Sequence, residues 1–405
     1  MTTPGEIRRQ ALAILESHWD AALQATLPHP LQYPHRWLWD SCFHAIAWAA
    51  LGRPEGLVEL GSVLGSVLPT VLGRGFLPHM VYGDPDRTGG GVDRGPLAGM
   101  SSFTQPPVHA LALSEIGERG FEPPPWMYRA SADALAWLWD SRLRDGLLTI
   151  AHPWESGQDI SPRFDDWYGD PGFSSFGEHY AKLVRTASYD AVGVAVSNSS
   201  GVVAPAGFNA IAADAAARLP ASPELRGWGQ ELARQIDRQL WNPEEELWDD
   251  RPDEAHRPAW PCATLPTLDG VLGALATQSR PRAERALRQC VGDGRFAAPF
   301  GPRFLPAGHP EYQPDVYWRG PAWPQLNYLL VVAARRHGLA DIASELTETT
   351  LRGVVASGFS EFWHPETGEA RGATPQSWAT VAVALLGPVE ATPELPGTGS
   401  TREGG

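Results

Sequence analysis

Cysteine is scarce in this 405-residue chain: Cys42, Cys262 and Cys290 stand far apart and form no C-x-x-C pair. That excludes a disulfide framework and a thiolate zinc site, and the three read as buried thiols of a reducing compartment. Positive charge is also short, with 32 Lys and Arg against 47 Asp and Glu and a formal net charge of -15. Nucleic-acid binding draws much of its affinity from cations on phosphates, so no nucleic-acid partner is expected. No apolar run approaches the roughly 18 residues of a membrane span, so no membrane partner is expected either. The N-terminus begins Thr3-Pro4-Gly5-Glu6, a capping-box spacing with proline at the first helical position, rather than a basic segment before an apolar run. A cytoplasmic enzyme is the expectation. H-E-x-x-H and comparable ligand clusters are missing too, so neither a metal nor another cofactor is called for.

Strand alternation is rare, whereas helical periodicity is frequent. Ile7, Ala11, Ile14, Leu15, Trp19 and Ala22 recur at helical spacing and stop at Pro28. Further helices are expected at about 40–51, 56–72, 108–116, 126–143, 181–187, 208–219, 223–240, 268–277, 282–291, 322–337, 340–356 and 376–386. A dozen helices without a sheet, without a detectable repeat, and joined by long Gly/Pro/Trp-rich segments suit a closed toroid of helix pairs with its functional groups on the loops at one end. Residues 1–389 form one expected domain, and the Pro/Gly/Ser/Thr-rich stretch 390–405 reads as a disordered tail.

Tryptophan is abundant, at 17 residues. An indole joins a flat apolar face to one N–H donor, which suits sugar rings, although large helical domains also use Trp for packing. Clustering with polar groups is more telling, and four segments show it: Tyr33–Asp40, His152–Asp159, Tyr317–Trp323 and Phe359–Gly368. Glycosidic hydrolysis needs one protonated carboxyl at the leaving oxygen and one ionised carboxyl acting on water or sugar. The second and fourth segments supply Asp159 and Glu361, with Glu155, Asp165 and Asp166 as rivals to the first and Glu366 and Glu369 as rivals to the second. Asp40 suits an N-cap as well as a sugar contact.

The segments Trp37-Leu-Trp-Asp40, Glu155-Ser-Gly-Gln-Asp159, Tyr317-Trp-Arg-Gly-Pro-Ala-Trp323 and Ser360-Glu-Phe-Trp-His-Pro-Glu-Thr-Gly368 together resemble glycoside hydrolase family 63, especially its short bacterial members that act on glycosylglycerates. The resemblance runs from about Tyr33 to Trp378. It implies an all-α (α/α)6 barrel, inversion at the anomeric carbon, no metal, and a small charged α-glycoside as substrate. By the same resemblance Asp159 is the general acid and Glu361 the general base. Tyr33, Trp37, Trp39, Asp40, Trp154, Gly157, Tyr317, Trp318, Trp323 and Gln376 are then expected around the sugar. For the substrate's carboxylate the candidates are Arg36, His79, Arg163 and Arg319. His79, Tyr82 and Gln105, on either side of the Gly89–Gly91 run, are expected on mobile loops over the pocket. The alternatives are an exo-α-glucosidase or α-mannosidase on short neutral oligosaccharides, a sugar epimerase or isomerase, and a carbohydrate-binding protein without turnover.

Overall fold

Whether a helix is apolar on one stripe or all round decides which layer of a helical protein it joins. The computed structural model describes residues 2–83, 95–169, 176–219 and 222–387. In it, helices of the two kinds alternate along the chain. The first, α1 (Pro4–Ser17), is striped, burying Ile7, Ala11 and Leu15, and begins on the expected capping box: Glu6 N donates to Thr3 Oγ1 at 3.2 Å and Thr3 N to the Glu6 carboxylate at 2.7 Å. It lies in the outer layer. Next, α2 (Leu38–Ala50) is buried from Leu38 to Ala49 and belongs to the inner ring.

The alternation continues with α3 (Glu55–Leu64) outside, α4 (His109–Glu118) inside and α5 (Pro125–Arg142) outside. After an excursion bearing α6 (Phe176–Thr186) come α7 (Ala206–Arg218) inside and α8 (Pro223–Gln239) outside. The next inner helix is short: α9 (Leu268–Val271) runs on as a 3-10 turn to Leu275, and α10 (Arg280–Arg288) covers it. The last pair, α11 (Pro324–Arg336) inside and α12 (Ala340–Ser357) outside, leads to a 3-10 helix, Ser377–Leu385, every residue of which is buried. Around the inner ring, α2 packs on α4, α4 on α7, α7 on α9 and its extension, this pair on α11, α11 on the Ser377–Leu385 helix, and that helix back on α2. Six inner elements close on themselves inside six outer ones, so the chain is the (α/α)6 barrel expected. Among the described residues, β-structure consists of eight two-stranded antiparallel ladders and four isolated bridges.

All six inner elements run the same way. The N-terminal ends of α2, α4 and the Ser377–Leu385 helix open on a pocket lined by Trp39, Asp40, Gln105, Gln376 and Trp378, whereas Ala50, Glu118, Arg218, Arg336 and Leu385 surround a second cavity of about 810 Å³ at the opposite end. Arginines at that far end complement the partial negative charge of helix C-termini, and Arg218 Nε also reaches Asp214 at 2.6 Å.

Most expected helices fall within a few residues of the observed ones. The one expected at 56–72 ends at Leu64 instead, because Leu68–Pro69 pairs with Gly75–Phe76 as a hairpin. Asp40 is not an N-cap: Trp37 occupies that position, Leu38 N donates to His79 O at 2.8 Å, and Asp40 lies in the first turn, free to face the pocket. Cys42 and Cys290 are buried as expected, but Cys262 is only half-buried. The Gly89–Gly91 run and the 390–405 tail lie outside the described residues. No described helix is long and apolar enough to cross a membrane.

Candidate active site

The pocket at the N-terminal end of the ring has a volume of about 380 Å³, near the small end of the roughly 300–1,000 Å³ range of small-molecule sites. One wall comes from the segment that leads into α2. The Arg36–Trp37 strand pairs with Met80–Val81, and His79 N donates to Phe103 O at 2.7 Å, which fixes Trp37 and His79 side by side. Trp39 N donates to Gln105 Oε1 at 3.2 Å and ties α2 to the segment before α4. An unbroken line of rings follows: Tyr33 to Trp37 (6.3 Å between centroids), Trp37 to His79 (5.4 Å), His79 stacked on Trp154 (5.7 Å), and Trp154 to Tyr180 (5.0 Å). His79 is wholly buried in this line. It is therefore a fixed part of the wall, not a mobile loop residue.

Asp159 is delivered by a turn that the sequence can form only with glycine at 157. Gly157 has φ +71°, and a Cβ there would lie 2.6 Å from the Trp39 indole, so the turn and the indole share one space. Beyond it, Gln158 Nε2 donates to Asp269 Oδ1 at 2.7 Å, and Arg163 pairs with both Asp250 (2.8 Å) and Asp269. These two aspartates also take the N–H groups of Ala206 (2.9 Å) and Gly207 (2.8 Å) at the start of α7. The turn is thus clamped to two inner helices. Tyr180 donates its hydroxyl to Asp159 Oδ2 and Tyr168 donates to Asp159 O.

Glu361 comes from the segment between α12 and the Ser377–Leu385 helix. Its N–H donates to Ala373 O at 2.8 Å, Ala373 N donates to its Oε2 at 2.9 Å, and Tyr33 donates to its Oε1 at 3.0 Å. Trp378 Nε1 donates to Glu361 O at 2.9 Å, fixing the main chain as well. Burial pushes the carboxyl up to about 7, although the Ala373 N–H and the Tyr33 and Tyr317 hydroxyls favour its charged form. Asp40 is likewise pushed up to about 6 by burial, with Gln376 Nε2 3.5 Å from its Oδ1.

The rivals are all committed elsewhere. Glu155 forms a two-pronged pair with Arg142 (2.8 and 2.6 Å) and also accepts from Thr104 N and Ala151 N. Asp165 is bound by Arg319 (2.7 and 2.5 Å), and Asp166 accepts from Cys262 N at 2.7 Å. Glu366 pairs with Arg303 at 2.5 Å, and Glu369, exposed, with Arg371 at 3.1 Å.

Of the residues expected at the site, Tyr33, Trp37, Trp39, Asp40, His79, Gln105, Trp154, Gly157, Asp159, Tyr317, Glu361 and Gln376 line this one pocket. The others do not. Arg36 is turned to Ser62, donating to its O at 2.8 Å and its Oγ at 3.0 Å. Arg163 and Arg319 are spent on buried aspartates, so three of the four candidates for a carboxylate partner hold the scaffold together. Tyr82 packs against His35 (5.7 Å), outside the pocket lining. Trp318 and Trp323 lie behind the wall, stacked at 3.6 Å with 8° between planes, and Trp323 is also stacked on Phe362. They support Tyr317, which stands 5.1 Å from Trp323. Pro28, Ile160, Tyr180 and Trp378 line the pocket without having been singled out. Trp378 follows Gln376 closely enough to have been inferred, whereas Tyr180 lies on α6, whose pattern is that of any amphipathic helix.

A six-fold ring of helix pairs, an aromatic pocket small enough for a sugar, and acids set in differing surroundings within it define a glycoside hydrolase of the (α/α)6 class. The model of the mannosylglycerate hydrolase MGH1-like glycoside hydrolase domain matches residues 33–379, and the chain belongs to that family, within glycoside hydrolase family 63. The glucosylglycerate hydrolase of Mycolicibacterium hassiacum is 28% identical over 94% of this chain and 97% of its own length. The mannosylglycerate hydrolase of Thermus thermophilus is 29% identical over 89% of this chain and 96% of its own. Among solved structures, the Thermus thermophilus mannosylglycerate hydrolase in complex with glucose superposes with a TM-score of 0.77 at 25% identity, covering 94% of this chain and 99% of that one.

Proposed function

We propose that the protein hydrolyses 2-O-α-glucosylglycerate, 2-O-α-mannosylglycerate or both, with inversion, releasing hexose and glycerate. The observation that carries the assignment of roles is that Asp159 and Glu361 face the same aromatic pocket and receive tyrosine hydroxyls, while every neighbouring carboxylate the sequence offered as a rival is engaged by an arginine or a main-chain N–H. Asp159 protonates the glycosidic oxygen as its bond to C1 breaks. Glu361 takes a proton from the water that attacks C1 on the opposite face, and the new C–O bond forms there. A base held near neutrality suits that step, since proton transfer is most effective when the catalytic pKa is close to the working pH. Asp40 and Gln376, adjacent and facing inward, orient sugar hydroxyls, and Trp37, Trp39, Trp154 and Trp378 supply apolar faces. The substrate class draws its support from the two enzymes named above and from the small size of the pocket.

With Arg36, Arg163 and Arg319 engaged elsewhere, His79 is the remaining candidate of the four for the glycerate carboxylate. Its Nδ1 lies 3.3 Å from Phe103 O, an acceptor, so Nδ1 carries a proton, and Nε2 meets the glycerate carboxylate as a donor when the ring holds a second proton as imidazolium. We place the reaction in the cytoplasm, in keeping with three free thiols and no disulfide pattern.

NMR-monitored hydrolysis of both glycosylglycerates and of neutral α-linked disaccharides tests the proposal. First release of the β-hexose from a glycerate substrate is the expected result. First release of the α-hexose overturns the inverting assignment, and turnover of the disaccharides alone overturns the substrate.

A further inference from the structure

A carboxylic acid has two oxygens and one proton, and only a proton on the correct oxygen reaches the leaving group. At Asp159 the surroundings differ between the two oxygens. Tyr180 donates to Oδ2, and it comes from α6, which is seated by Val184 against Phe103 and Trp154. Tyr168, buried at the end of the short helix Asp165–Tyr168, donates to the main-chain oxygen of the same aspartate. A carbonyl can only accept, so the single proton of Tyr168 is committed. Both phenols lie in surroundings where burial holds them well above the usual tyrosine range and therefore neutral. Tyr180 gives its own single proton to Oδ2, and its ring lies 6.0 Å from that of Tyr168, edge to face.

We propose that Tyr180, backed by Tyr168, is a positioning residue for proton delivery by Asp159. Its hydroxyl marks Oδ2 as the accepting oxygen, so the acid's proton is carried on Oδ1. As that proton passes to the glycosidic oxygen and the C1–O bond breaks, the negative charge left on Asp159 meets a hydrogen bond already in place. Charge that develops in a buried site is stabilised most effectively by a donor fixed beforehand. Tyr168 holds the hinge of the arrangement, since it restrains the main chain of Asp159 and the ring of Tyr180 together.

This inference rests on Asp159 being the acid, and the test separates the two. Tyr180→Phe, which keeps the ring, and Asp159→Asn are each assayed on a glycosylglycerate, whose alkoxide leaving group needs a proton, and on the matching α-glycosyl fluoride, whose fluoride leaves without one. Both variants are expected to lose activity selectively: kcat on the glycosylglycerate falls at least about tenfold for Tyr180→Phe and further for Asp159→Asn, while kcat on the fluoride stays within about threefold of the parent. KM for the glycosylglycerate is expected to change little. Selective loss in Asp159→Asn with an equal effect of Tyr180→Phe on both substrates, or with an effect on KM alone, overturns the role of Tyr180 and leaves the acid assignment standing. Loss in Asp159→Asn that does not distinguish the two substrates overturns the acid assignment and the present inference with it.

Discussion

At Glu361 the chemistry and the stability of the protein pull in opposite directions. Burial pushes this carboxyl from 4.5 up to about 7, so the folded state holds the proton more tightly than the unfolded chain does. A group with a raised folded pKa contributes stability that is complete below its unfolded value and is lost as pH rises through its folded value. Between pH 4.5 and pH 8 the loss amounts to something on the order of 3 kcal/mol. Glu361→Gln, which cannot ionise, is expected to be inactive by at least about a hundredfold yet to unfold at a higher temperature than the parent at pH 8, with the gap closing at pH 5. Calorimetry at the two pH values checks this. On the proposed roles, kcat/KM of the parent is expected to fall as pH drops below about 7, because a base at Glu361 works only when ionised. The carboxylate-binding role of His79 has its own test. His79→Asn is expected to raise KM for a glycosylglycerate about tenfold while leaving the α-glycosyl fluoride little affected, a contrast that steady-state kinetics reads directly.

Among the elements, the turn bearing Asp159 is where sequence and structure are most closely bound. Gly157→Ala forces a positive φ on a residue with a Cβ and drives that Cβ into Trp39. Such clashes cost about 1–3 kcal/mol, and Trp39 lines the pocket, so both Tm and kcat are expected to fall. Arg163→Met leaves Asp250 and Asp269 buried without their cation, a change that typically costs about 3–5 kcal/mol. Urea unfolding measures it. This same clamp marks the limit of what the sequence discloses. Periodicity marks α2, α8, α11 and α12 as helices, because side-chain direction follows the helical repeat, but the burial of Asp40, His44, Gln325 and Asn327 on the inner helices comes from tertiary packing. The motifs place Asp159 and Glu361, since each stands in a run of aromatics and glycine that no simple helix would need. Arg36, Arg163 and Arg319 were legible as charges but not as partners, because their aspartates or carbonyls lie 26 to 154 residues away in the chain. Trp318 and Trp323 were read as sugar contacts for a similar reason: a tryptophan behind a wall has the same letters around it as one in front.

For the molecule as a whole, the number of helices and the scarcity of strands suffice to suggest a closed ring, whereas the partner across the closure is a matter of tertiary packing. That closure falls between the Ser377–Leu385 helix and α2, elements more than 300 residues apart, with α1 packed over the seam and the Arg8 guanidinium bonded to Gly387 O. Removing the residues after 375 is expected to abolish the cooperative thermal transition, because the inner ring would lose one of its six members and expose the apolar faces of α2 and α11. Circular dichroism melting tests it.

The closing helix also brings Gln376 and Trp378 to the pocket, and Trp378 holds the main chain of Glu361. During synthesis on the ribosome, a nascent chain thus acquires all its other pocket residues before it possesses a pocket. Asp159 is translated some 200 residues before Glu361, and their meeting waits for the final turn of the ring. Translation is therefore a built-in delay on assembly of the site: a product stalled before residue 361 carries Asp159 without Glu361 or the helix that closes the ring.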